Sequence, residues 1–168
     1  MVADSAAQLR LLAAEVRAEQ GRIDRTVAEL TAAVDALGRP DATRLQLYGA
    51  AALLETFYSG IEKVLMRVAG ATGSLPEGGA WHRRLLADAT LDLPAIRPAV
   101  LSEATARVLE PYLTFRHRFR NLYLFDLEPR LVLPLLTDAP AAWAAAAADL
   151  GAFAAHLDAL AGELAGTG

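Results

Sequence analysis

Between Leu9 and Leu37 apolar side chains return every three or four residues, at Leu9, Leu12, Val16, Ile23, Val27, Leu30, Val34 and Leu37, with polar Gln20 in the remaining slot. A 3.6-residue turn gathers these positions into one stripe, so the segment reads as a long amphipathic helix whose stripe has to be covered by other helices. Gly38-Arg39-Pro40-Asp41 ends it. Glycine suits a helix C-terminus, proline cannot continue the ladder, and Asp41 is placed to cap a second helix.

The second helix is expected from about Ala42 to Ala71, with Leu47, Leu54, Tyr58, Ile61, Leu65 and Val68 inward and Glu55, Glu62, Lys63 and Arg67 toward the edges. Gly70, Gly73, Pro76, Gly78 and Gly79 break the pattern. Trp81 to Ala89 reads as a short third helix, and Leu91–Leu101, with Pro94 and Pro98, as an irregular connection. Ser102 is a natural cap for a fourth helix, in which Pro111 is expected to bend the axis rather than end it, because the stripe Val108, Tyr112, Phe115, Phe119, Leu122 crosses the proline in register. A short helical piece, Pro129–Leu136, and a last helix from Asp138-Ala139-Pro140 to about Leu164 complete the chain. No strand-period segment or internal repeat interrupts this order. The expected fold is all-α, an up-and-down bundle of four to five helices forming one domain over residues 1–168.

Composition narrows the function classes. With 54% hydrophobic and 21% charged residues in 168, the chain can bury a core without staples, and it has no cysteine for disulfides or thiolate chemistry. A net charge of −4 argues against coating nucleic acid by bulk electrostatics, so any such contact is local. The start Met1-Val2-Ala3-Asp4-Ser5 lacks the pattern of an export signal, and the run Ala139–Ala148 reads as a packed alanine-rich helix rather than a membrane segment; a cytoplasmic protein is expected. His82, His117 and His156 show no metal-ligand spacing and no glycine-rich nucleotide loop is present, so neither metal nor cofactor is expected.

One concentrated polar segment remains, Arg116-His117-Arg118-Phe119-Arg120-Asn121-Leu122-Tyr123. In a continuous helix Arg116, Arg120 and Tyr123 share a face, and His117 and Asn121 form a pair on the next. Guanidinium groups one turn apart repel slightly, yet on a rigid element they can clamp a phosphate, and a histidine can move protons near neutral pH. The ordinary alternative is that the arginines are solvated or paired with acids on neighbouring helices. For Trp81-His82-Arg83-Arg84, anchoring by the indole with solvated arginines is the favoured reading, and extension of a nucleic-acid-binding cleft the other.

The run Phe115 to Leu127, preceded by Tyr58-Ser59-Gly60-Ile61-Glu62-Lys63, Trp81-His82-Arg83-Arg84-Leu85-Leu86 and Arg97-Pro98-Ala99-Val100-Leu101, resembles the HepT-like branch of the HEPN proteins over roughly Leu47 to Leu136. The resemblance implies a two-fold homodimer with the polar helices of both subunits beside one cleft. It also implies a place as the toxin-side component of a bacterial toxin–antitoxin pair with a minimal nucleotidyltransferase, and metal-independent cleavage of RNA. The family's motif, an arginine, a polar residue and a histidine four to six positions after the arginine, falls on Arg116 and His117 and departs at Asn121, where the histidine belongs. A register starting at Arg120 places Phe125, Asp126 or Leu127 there and is no better.

In the Arg116 register Tyr123 matches the tyrosine that the partner enzyme modifies with AMP; an amphipathic tyrosine at a core or dimer edge is the alternative. Asparagine orients but does not exchange a proton near pH 7, so either His117 substitutes, with Arg116 and Arg120 on the phosphate, or catalysis is lost and the chain is an interaction module for the nucleotidyltransferase or RNA. A third possibility, a domain serving only oligomerisation, predicts Arg116 and Arg120 both in internal acid pairs.

Overall fold

The computed structural model describes residues 2–121, 123 and 126–166, with side chains from residue 5 onward. The three-four stripe folds into α1 (Val2–Leu37), burying Leu12, Val16, Ile23, Val27 and Leu30. The polar slot is filled productively, since the Gln20 amide donates to the Ala147 carbonyl at 3.0 Å. α2 (Arg44–Ala71) starts at Thr43 rather than at Asp41. The Thr43 hydroxyl accepts the Gln46 N–H at 3.2 Å while Gln46 Oε1 accepts the Thr43 N–H at 2.7 Å, a reciprocal box that satisfies two otherwise orphaned donors. Asp41 pairs instead with Arg39 on the surface. Every expected inward residue of α2 is buried, and the helix approaches α1 closely at Gly60, where a Cβ would lie 2.7 Å from Ile23 Cγ1.

α3 (Trp81–Asp88) is short and packs on α2 through Leu85 and Leu86. The irregular connection that follows is held by Arg97, whose guanidinium donates to the carbonyls of Asp88, Leu91 and Pro98 at 2.8–3.1 Å. Burial lowers the Arg97 pKa from its ordinary value, against the opposing pull of Asp88 and Asp92.

Ser102 caps α4 (Glu103–Phe119) as expected, and the helix runs through Pro111 without ending. The buried face is displaced from the expected stripe: Val108 is exposed, while Thr105, Leu109, Tyr112, Leu113, Phe115 and Arg116 are buried. Leu122, the last member of that stripe, lies outside the described residues. α5 (Pro129–Gly166) is one helix where two were expected. Leu136 and Ala139, on either side of the expected break, are both fully buried, so the apolar face continues across it and offsets the helix bonds lost at Pro134 and Pro140.

α5 has the length and hydropathy of a membrane-crossing helix, but one side of it is packed into the bundle. Ala139, Ala142, Ala146 and Ala154 are buried, and α1 and α5 are tied by Trp143 Nε1 donating to Asp24 at 2.6 Å and by the Arg17–Asp158 ion pair. At the centre Phe57 meets Tyr112 edge-on at 5.1 Å and Trp143 at 6.4 Å, joining α2, α4 and α5. Five helices and no strand occur among the described residues.

Candidate functional site

The polar segment does not form the single helical wall its spacing suggests. α4 ends at Phe119 with Arg120 as its C-cap, so Tyr123 lies beyond the helix and shares no helical face with Arg116 and Arg120. The Asn121 amide donates to the His117 carbonyl at 2.9 Å, occupying one of the acceptors left open at the helix end. Tyr123 is 72% exposed. Phe125, a terminal residue in the alternative register, lies outside the described residues, while Asp126 is exposed and Leu127 buried.

Arg116 points into the bundle and is 7% exposed. Two carboxylates of α2 compensate it: Nη2 lies 3.2 Å from Glu62 and Nε lies 3.5 Å from Glu55, while Nε also donates to the Ser59 hydroxyl at 3.1 Å. Ser59 in turn donates to Glu55 at 3.1 Å. Glu55, Ser59 and Glu62 are spaced i, i+4, i+7, one side of α2, so a single guanidinium can reach all three. Glu62, expected at a helix edge, is 5% exposed because Arg116 and His82 cover it. The Tyr58 phenol is pushed well above its ordinary range by burial, with Glu62 adding to the shift and Arg116 opposing it, so it stays neutral beside the ion pair.

From the other side comes His82, in the first turn of α3. Its Nδ1 lies 2.6 Å from Glu62 Oε2 and 3.4 Å from Arg116 Nη1. One nitrogen holds at most one hydrogen and a guanidinium only donates, so the short bond to the carboxylate fixes the hydrogen on Nδ1 and leaves Arg116 as a neighbour rather than a partner. Trp81 stacks on the imidazole at 3.5 Å, and His117 meets it edge-on at 5.3 Å between ring centroids. Trp81 is thus an anchor, as the sequence favoured, and the residue it anchors is His82. The sequence pointed to Glu62 and His82 only through the runs they occupy, not through their spacing from Arg116.

At the base of the cluster lie Glu55 and Glu62 with the one guanidinium of Arg116 between them. His117, Arg118 and Arg120 are all exposed at the end of α4, where the helix dipole favours cations by about 0.3–1 kcal/mol each, and Arg118 turns to the side of the helix that carries Phe115 and Phe119. Among the described residues no group of three or more histidine, aspartate and glutamate side chains converges as a metal ion requires.

An all-helical bundle carrying a buried arginine and an exposed basic helix end defines the class. A family model described as HepT-like protein matches residues 49–157, more than half of the chain, and the protein belongs to the HepT-like branch of the HEPN family. Neither a curated protein nor a solved structure matches it.

Proposed function

We propose that the protein is the toxin-side component of a bacterial toxin–antitoxin pair with a minimal nucleotidyltransferase, and that it acts on RNA at the end of α4. The observation that carries this reading is the exposure of His117, Arg118 and Arg120 together, with Arg118 and Arg120 lacking an ion-pair partner among the described residues while Arg116 below them has two. Arg120 and Arg118 hold the phosphate, His117 carries a proton, and Asn121 fixes the end of the helix. Arg116 acts from beneath by holding Glu62. Membership of the family supports the toxin-like class. Tyr123, largely exposed, is the proposed AMP acceptor.

The proposed homodimer uses a groove of about 900 Å³ between the outer face of α4 and the start of α5, with Pro111, Phe115, Phe119 and Leu131 along it and Arg118 in its lining, so that the RNA surface and the dimer seam adjoin. A role in oligomerisation alone predicts both Arg116 and Arg120 in internal acid pairs; among the described residues Arg116 is so paired, with Glu55 and Glu62, and Arg120 is not. The rival reading, an inactive module that binds the nucleotidyltransferase or RNA, draws support from Asn121, whose amide is committed to the helix end.

The test is cleavage of labelled tRNA and mRNA without metal, by protein freed of any nucleotidyltransferase. Wild type should cut and His117→Ala should lose at least about 100-fold in rate, the scale of a lost acid–base group. Sedimentation of the same preparation should give twice the protomer mass, and a protomer mass sinks the dimer. RNA that binds and stays intact moves the function to the interaction module.

A further inference from the structure

We propose that His82, brought in from α3, is the second proton-carrying group of the site and forms with His117 a two-imidazole seat for an RNA phosphodiester. The inference rests on the RNA reading above, and deepens it by naming the group that stands in for the histidine absent at Asn121. Four observations carry it. The rings of His82 and His117 are 5.3 Å apart, edge to face. Glu62 binds His82 Nδ1 at 2.6 Å, so Nε2 is the nitrogen left to meet a ligand, the arrangement in which a carboxylate orients an imidazole for proton transfer. Glu62 is itself locked by Arg116 at 3.2 Å, and Trp81 stacks on the ring at 3.5 Å, so His82 has little rotational freedom to lose when a ligand arrives. Its side chain remains 13% exposed, against 6% for Glu62, so of the two it is the more open to an incoming group.

The chemistry closes without metal, oxidant or water. One imidazole takes the proton of an RNA 2′-hydroxyl as that oxygen bonds to phosphorus. The P–O5′ bond breaks, and the departing oxygen takes a proton from the other, protonated imidazole. One proton is gained and one is given up, leaving a cyclic phosphate and a 5′-hydroxyl. Arg120, one turn beyond Arg116 on the same side of the chain, supplies the positive charge that the pentavalent phosphate calls for.

A structural role for His82, a bolt holding α3 to α2, would give the same resting geometry, so the test reads the ring itself. The chain has three histidines, and His156 near the far end of α5 serves as an internal control. Nitrogen-15 NMR of the imidazoles is followed while a single-stranded RNA carrying 2′-O-methyl groups, which cannot be cut, is titrated into wild-type protein. The expected result is that His82 begins with its hydrogen on Nδ1, and that the Nε2 signals of His82 and His117 shift together with one midpoint while His156 stays fixed. If His117 shifts and His82 Nε2 does not, His82 is structural and the RNA reading stands without it. If neither shifts, the RNA reading fails and this proposal with it.

Discussion

Arg116→Ala is expected to lower the unfolding free energy by about 3 kcal/mol, the lower part of the range for removing one partner of a buried ion pair. Arg116 is 7% exposed and lies between Glu62 and Glu55. Removing the guanidinium leaves Glu62, 5% exposed, with the hydrogen bond from His82 as its remaining side-chain contact, and leaves two carboxylates on one side of α2 without their shared cation. His82 keeps Glu62 partly compensated, which is why the loss stays near the lower figure. Urea unfolding of both proteins measures it, and a difference below about 1 kcal/mol, the scale of an exposed pair, contradicts the buried network. A practical consequence follows for activity work: loss of function in an Arg116 variant reports the support under the site as well as its chemistry, so His117→Ala is the cleaner probe.

Phe57→Ala should cost about 4 kcal/mol, within the range for emptying a fully buried aromatic site. Phe57 is completely buried, and its ring faces Tyr112 and Trp143 edge-on, so one side chain joins three helices. The void opens where α2, α4 and α5 meet, and long helices fixed elsewhere cannot collapse into it freely. Phe57→Leu, which keeps most of the volume, should cost about 1.5 kcal/mol or less. Thermal and urea unfolding measure both changes; near-equal losses for the two variants would show that cavity size is not what governs this site.

The bundle was legible because its signals are local and periodic. The stripe from Leu9 to Leu37, the break at Gly38–Pro40 and the cap at Ser102 each depend on neighbours within a turn or two, and α1, α2 and the start of α4 lie where these signals put them, whereas α4 ends at Phe119, short of the polar segment's end. The division of α5 at Pro134 and Pro140 failed because two prolines weigh heavily locally while the buried face that spans them is a tertiary fact. The same limit applies at the site. Periodicity placed Arg116 beside Arg120 and Tyr123, but whether an arginine turns outward or inward depends on Glu55, Ser59 and Glu62, more than fifty residues earlier in the chain. His82 is invisible to spacing for the same reason, since only the packing of α3 against α2 and α4 brings it to Glu62 and His117.

The central claim is that the exposed cations at the end of α4, not the buried Arg116, are the surface that meets RNA. The most direct measurement is the salt dependence of single-stranded RNA binding by wild type and by the Arg118→Ala/Arg120→Ala double variant. Two lost phosphate contacts should reduce the slope of log affinity against log salt by about 1.4, with the unfolding midpoint unchanged. An unchanged slope and affinity in the double variant, or no RNA binding by wild type at low salt, would contradict the account.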